Sequence, residues 1–166
     1  YEHPVLTQVG SPNMEYLLAN AERFQKSIGA ERVNEKIATA FDLQLTNMIT
    51  GRDRQSGMEA IDKVEKEMEK YEFPSKSRLK LFVEIARVQK SGDVEKLLQV
   101  CEKNIPQIEH EHLLAMFFPL SLTIKRNGNE DQQQRILKLA KTLLAETTND
   151  KFKFSLGQFI PYALEK

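Results

Sequence analysis

His110, Glu111 and His112 form the cluster of side chains in this sequence that most resembles a set of metal ligands. Imidazole nitrogens and carboxylate oxygens both coordinate zinc. Residues two apart on an α-helix point about 200° away from one another, so both imidazoles would reach one ion only from an extended or looped segment. We therefore predict a polar helix start, with Glu109 and Glu111 near the positive end of the helix dipole, and no metal site. A metal-dependent enzyme using these residues is an alternative that metal analysis would test.

Cys101 is the only cysteine of the chain, which excludes an internal disulfide and a thiolate metal cluster. It shares a helical stripe with Leu97, Leu98 and Ile105, and this spacing predicts a buried thiol. Burial in apolar surroundings raises the pKa of a thiol and makes it unreactive. We expect Cys101 to be a core residue and not a nucleophile.

Other signals of chemistry are weak. The sequence has no phosphate loop, dinucleotide fingerprint, nucleophile elbow or zinc-helix motif. The basic residues Lys76, Arg78 and Lys80 alternate with serine and leucine, a pattern more typical of solubilising charge than of a phosphate-binding surface. Lys plus Arg equals Asp plus Glu, at 24 each, so no net field attracts nucleic acid. The sequence predicts no catalytic residue, no cofactor and no nucleic-acid partner.

Length and composition indicate a folded domain. A chain of 166 residues is long enough to bury roughly 70% of its unfolded surface. Apolar residues make up 40% and charged residues 29%, which is ordinary for a globular fold. No apolar run approaches the roughly 20 residues of a membrane-spanning helix, so we predict no membrane span. The chain begins at Tyr1 and not at methionine, which favours a processed or excised piece of a longer protein.

A phenylalanine stands ten residues before each of three glycines. The pairs are Phe41 and Gly51, Phe82 and Gly92, and Phe118 and Gly128. An aspartate or asparagine follows each glycine within two residues. This pattern predicts a helix that buries its aromatic ring, ends at a glycine in the left-handed conformation, and is followed by a helix with a polar N-cap.

The repeat predicts an all-α fold, an irregular array of antiparallel helical hairpins similar to a tetratricopeptide (TPR-like) α-solenoid, with about eight helices. Residues 1–10 are predicted to be a lead-in segment and residues 11–166 a helical-repeat domain. The predicted hairpins span roughly 11–51, 54–92, 93–128 and 129–166. Within them we expect a charged outer helix over 54–71, with Lys63 on its solvent face, and one apolar-rich helix over 111–126.

The end of the chain resembles an inner helix whose outer partner is missing, because residues 117–120 (FFPL) and 159–162 (FIPY) match at an offset of 42. Such a helix would leave apolar surface for a domain of the same chain, a second copy or a bound segment. Phe152, Phe154 and Tyr162 are the candidate contact residues. Equally, Phe159 and Ile160 could pack on the preceding hairpin while the rest caps the end.

Residues 11–18 (SPNMEYLL) and 24–37 (FQKSIGAERVNEKI) resemble part of a known family. They are similar to the helical segment that follows the thioredoxin domain in bacterial envelope proteins of the thioredoxin-like, thiol-disulfide isomerase type. The resemblance implies a periplasmic or cell-envelope location and a redox domain placed before this chain. No Cys-x-x-Cys pair occurs here, so no catalytic residue carries over and the enzymatic activity would belong to the preceding part.

The predicted function is a non-catalytic helical-repeat interaction module, the C-terminal part of a longer thioredoxin-like thiol-disulfide protein. Its expected partner is the preceding domain of the same chain or another protein or peptide, and a homodimer is a further option. The alternative is a free-standing TPR-like scaffold that binds a peptide or protein in its concave surface. A start codon directly before Tyr1 would favour the scaffold.

Overall fold

The structure, a computed structural model, describes residues 12–52 and 57–165, and throughout these ranges the regular elements are helices. The predicted all-α class is confirmed. The described residues form ten α-helices, against about eight predicted. The predicted lead-in segment, residues 1–10, lies outside the described residues. The chain divides into two compact units, residues 1–83 and 84–166.

The first unit contains four helices and the start of a fifth. These are α1 (Pro12–Ala19), α2 (Ala21–Ile28), α3 (Ala30–Ile49), α4 (Met58–Met68) and α5 (Lys76–Ser91), which continues into the second unit. Pro12 begins α1, where a missing backbone N–H breaks no helical hydrogen bond. Gly29 ends α2 with a φ of 96°, a conformation that residues with a Cβ rarely adopt, and the chain turns there into α3.

The core of the first unit is built mainly on one face of α3. Residues at helical spacing on that face are buried, and they are Val33, Ile37, Phe41, Leu45 and Met48. α4 adds a narrow buried stripe of Ile61, Val64 and Met68, while six of its other eight residues are charged. A one-sided apolar stripe of this kind is typical of a helix on the surface of a core.

The second unit contains the end of α5 and five further α-helices. They are α6 (Val94–Asn104), α7 (His110–Leu113), α8 (Phe117–Asn127), α9 (Glu130–Glu146) and α10 (Asp150–Leu164), with a short 3₁₀ helix at Ile105–Gln107 between α6 and α7. Side-chain caps begin three of these helices. Asp93, Asn129 and Asn149 each accept a hydrogen bond from the backbone N–H three residues later. Polar caps were predicted at Asp93 and Asn129, and the structure confirms both. The third predicted cap, Asp53 after Gly51, lies outside the described residues, and α4 begins after Gly57 without a side-chain cap.

A polar network joins α6 to α9. The side chain of Gln132 accepts a hydrogen bond from the Asn129 backbone N–H, which completes a capping box, and donates one to Glu95 Oε2 at 2.8 Å. Arg135 Nη1 donates to Glu95 Oε1 at 2.8 Å, and Arg135 also pairs with Glu102. The hydrogen bonds from Gln132 and Arg135 lower the pKa of the Glu95 carboxyl. The start of α9 is therefore held both by its own cap and by α6.

One predicted helix is wrong. Residues 111–126 do not form a single helix, because a turn at residues 114–116 separates α7 from α8. Pro119 favours the break, since it lacks a backbone N–H and fits without cost in the first turn of a helix, where that group needs no helical partner. It is the third residue of α8, within the first turn, and an uninterrupted helix would have placed it in the interior.

The phenylalanine and glycine pattern holds at two of its three positions. Phe41 and Phe82 are buried, and Gly51 and Gly92 have φ values of 75° and 73°. Gly128 has a φ of −83°, so the left-handed conformation predicted for it is wrong. A Cβ at Gly128 would lie 2.6 Å from the backbone oxygen of Ile124, so this position needs glycine for space.

The aromatic position of the third pair also differs from the prediction. Phe118 is only half-buried, and its neighbour Phe117 takes the core position with 1% of its surface exposed.

No helix within the described ranges is both long enough and apolar enough to cross a membrane.

Candidate functional site

A cavity of about 540 Å³ in the first unit, lined by described residues, is a candidate binding site. Helices α1, α3 and α4 and the turn after α4 supply its walls. Its apolar lining consists of Leu18, Ala19, Phe41, Val64 and Tyr71. The volume lies within the range of pockets that bind small ligands.

Two aromatic rings form the floor of this cavity. The ring centroids of Phe41 and Tyr71 are 6.5 Å apart, with an angle of 45° between the ring planes. Phe41 lies on the buried face of α3, and Tyr71 lies in the turn after α4, where its backbone N–H donates to the carbonyl oxygen of Met68. Burial raises the pKa of Tyr71, and the negative charge of Glu67 raises it further. The phenol therefore stays protonated at neutral pH and can donate a hydrogen bond.

The rim of the cavity is polar. Lys70 Nζ lies 2.7 Å from Glu67 Oε1, and this hydrogen bond raises the pKa of Lys70. Three other rim side chains, those of Glu15, Gln44 and Lys63, make no hydrogen bond or ion pair within the described part of the chain. Lys63 belongs to α4 and Glu15 to α1, so unpaired charges of opposite sign lie on different walls.

The three predicted contact residues of the second unit do not share one environment. Phe152 is fully buried, and its ring packs edge-to-face on Phe117 with the centroids 5.7 Å apart. It is a core residue and presents no surface to a partner, because the helices around it cover the ring. Phe154 and Tyr162 lie on the surface of α10, with 69% and 36% of their surface exposed. Phe159 is also buried, against Phe117 and Phe118.

The two histidines point to different neighbours, as their helical spacing predicts. The ring centroids of His110 and Phe152 are 5.1 Å apart. His112 Nε2 instead lies 3.8 Å from Glu109 Oε2 and 3.4 Å from Glu111 Oε1. Glu109, Glu111 and His112 thus offer three potential ligand atoms within 4.8 Å of one another. Both carboxylates are exposed, so water hydrates them and their proximity requires no ion.

Cys101 is buried on α6, as predicted. Burial raises the pKa of its thiol from an ordinary value near 9 to about 12, with a smaller contribution from the negative charge of Glu102. A thiol with this pKa carries almost no thiolate at neutral pH, and thiolate is the reactive form. Cys101 therefore supplies packing and not chemistry.

The sequence pattern missed the cavity. Lys63 was assigned to a solvent face, and it is exposed, but it also stands at the edge of the cavity. The sequence does indicate one polar edge of the cavity, because charged residues at helical spacing (Lys63, Glu67 and Lys70) lie beside the apolar stripe of α4. It could not show that α1 and α3 complete the cavity, because that depends on how three helices pack.

No protein-family model matches the chain, and neither a curated protein nor a solved structure is significantly similar to it. Function must therefore be inferred from the residues and their geometry.

Proposed function

We propose that this chain is a non-catalytic helical interaction module that holds a short segment of a partner protein in the cavity of its first unit. The observation that carries the proposal is the combination of an aromatic floor with unpaired polar groups at the rim. An apolar side chain buried on such a floor contributes roughly 1.5–3 kcal/mol. The rim groups then select among segments by charge and hydrogen bonding.

The chemistry of the cavity suits binding better than catalysis. Nucleophilic catalysis needs an activated side chain with a base in hydrogen-bond reach. The hydrogen-bonded pair at this rim joins Glu67 to Lys70, two opposite charges that neutralise one another and include no activated nucleophile. Tyr71 stays protonated, so its hydroxyl supplies a hydrogen-bond donor for a ligand.

The same proposal places this module at the C-terminal end of a longer thioredoxin-like protein of the cell envelope. The support is the resemblance of residues 11–18 and 24–37, which fall in the first unit. Leu18, within the first of these runs, lines the cavity. The module would then hold either the preceding domain or a protein on which that domain acts, and the redox chemistry would belong to that domain.

A free-standing TPR-like scaffold is the alternative, since the same cavity would serve it equally well. The reading frame upstream of Tyr1 separates the two. A coding sequence with a Cys-x-x-Cys pair in a thioredoxin-like domain supports the appended module. A stop codon followed by a start directly before Tyr1 supports the scaffold.

Two measurements on purified residues 1–166 test the module. The protein should not catalyse reduction of insulin disulfides by dithiothreitol, and a robust rate that survives Cys101→Ser would overturn the non-catalytic assignment. A library of displayed random 12-residue peptides should yield sequences that bind the wild type and lose binding to Ala19→Trp. Ala19 is exposed and lines the cavity, so a tryptophan there should fill the cavity without overpacking the core.

A further inference from the structure

We infer that the segment bound in this cavity carries an apolar side chain flanked by charges of opposite sign, an acidic residue facing Lys63 and a basic residue facing Glu15. The inference rests on the proposed function and specifies its partner. Two of the four rim charges are already paired with each other, and the other two lie on different helices.

The rim holds two acids and two bases. Glu67 and Lys70 are paired at 2.7 Å, so each already has its counter-charge. Glu15 and Lys63 have no ion-pair partner among the described residues, and both are exposed. A bound segment that covers the cavity partly desolvates these two groups. Each of them then needs a counter-charge from the ligand, because an uncompensated charge is costly where water is excluded.

The two unpaired charges select a ligand with both signs over a simple amphipathic acid. A fatty acid could pair its carboxylate with Lys63, but it would leave Glu15 without a cation. Like charges brought together at an interface are unfavourable, and complementary charges suppress wrong partners. A peptide supplies an acidic, an apolar and a basic side chain on one short backbone.

Polar groups beside the floor fit a peptide backbone. The Tyr71 hydroxyl and the Gln44 amide make no hydrogen bond within the described residues, and both side chains line the cavity. A phenol can donate to a backbone carbonyl, and a primary amide can both donate and accept. Phe41 and Val64 supply apolar contacts at the same place. Together these groups match one apolar residue of an extended segment and the peptide bonds beside it.

Charge-reversal variants test the inference with the displayed 12-residue library and with synthetic copies of the peptides it yields. Peptides enriched on the wild type should place an apolar residue between an acidic and a basic one. Lys63→Glu and Glu15→Lys should each weaken the binding of such a peptide by about tenfold or more, because each reversal removes one complementary charge pair and places like charges together. Lys66→Glu is the matched control, because Lys66 is exposed on the same helix outside this cavity, and it should change affinity less than twofold. Replacing the acidic residue of the peptide by lysine should restore binding to Lys63→Glu.

Three results would overturn the inference while leaving the chain folded by circular dichroism. Peptides that lose binding to Ala19→Trp but are indifferent to both charge reversals would keep the cavity as the site and eliminate the charge pattern. The cavity would instead be assigned to an amphipathic acid if dodecanoate binds the wild type, binds Lys63→Glu more weakly and binds Glu15→Lys more tightly. No enriched peptide at all would remove both the inference and the proposed function.

Discussion

Arg78 Nη1 donates a hydrogen bond to Asp42 Oδ2 at 2.6 Å, and this ion pair joins α5 to α3 within the first unit. The guanidinium carbon of Arg78 also lies 5.4 Å from the ring centroid of Phe82. Both partners are half-buried, with side-chain exposures of 20% and 31%, so water screens the pair less than a fully exposed one. Asp42 directly follows Phe41, the first phenylalanine of the repeat, and Phe82 is the second. Arg78 contacts both Asp42 and Phe82.

The Asp42–Arg78 pair should show measurable coupling. In a double-mutant cycle of Asp42→Ala and Arg78→Ala, measured by urea unfolding, we expect an interaction free energy of about 1 kcal/mol. The Glu22–Lys26 pair is the control, because its atoms are 3.9 Å apart and both side chains are largely exposed. Its cycle should show no measurable coupling. Equal values for the two pairs would contradict the role assigned to Arg78.

Phe117 and Phe118 should differ in their contributions to stability. Phe117 is buried and packs edge-to-face on Phe152 and Phe159, so Phe117→Ala should lower the free energy of unfolding by roughly 3–5 kcal/mol. Phe118 is half-buried, and Phe118→Ala should cost only about 1–2 kcal/mol. Chemical denaturation of the two variants measures the difference directly. A larger loss for Phe118→Ala would restore the sequence-based alignment of the third repeat.

Cys101 should be inert in the folded protein and should make stability depend on alkaline pH. The thiol should not react with Ellman's reagent at pH 8 until denaturant unfolds the chain. Its pKa is raised to about 12 on folding. Between pH 9 and 12 the unfolded state therefore binds fewer protons than the folded state, and stability falls as pH rises.

The matched variant for this pH dependence is Cys101→Ala, which removes the titrating group. The free energy of unfolding of the wild type, from urea denaturation, should fall more steeply above pH 9 than that of the variant. The excess slope should reach at most about 1.4 kcal/mol per pH unit, since one proton is involved. Parallel curves for the two proteins would show that the thiol titrates normally when folded.

Local features of this fold were predictable from sequence because they depend on a few adjacent residues. The caps at Asp93 and Asn129 and the left-handed glycines at 51 and 92 follow from backbone rules that act within one turn. The third repeat failed because Pro119 divides the helix, and this places Phe117 in the core where the spacing favoured Phe118.

The candidate site was harder to predict, for a physical reason. Phe41 was correctly expected to be buried, but nothing local shows that its ring packs beside that of Tyr71, thirty positions later, or that both line one cavity. Lys63 was correctly expected to be exposed, yet the sequence does not show that it lines the same cavity as Glu15, because that depends on how α1 and α4 pack within the unit. The spacing of apolar residues shows which face of a helix is buried. It does not show where the packed helices leave a cavity between them.

Two glycines of the second unit should respond to alanine in opposite directions. Gly128→Ala should lower the free energy of unfolding by about 1–3 kcal/mol, because its Cβ would lie 2.6 Å from Ile124 O and 3.1 Å from Gln132 Cβ. Gly157 lies inside α10, is exposed, and an added Cβ would meet nothing within 4 Å beyond its chain neighbours and the nearby backbone of its own helix. Gly157→Ala should therefore stabilise the protein by about 0.5–1 kcal/mol through helix propensity. Thermal unfolding of the two variants provides the comparison, and a neutral Gly128→Ala would show that the end of α8 moves freely enough to admit a methyl group.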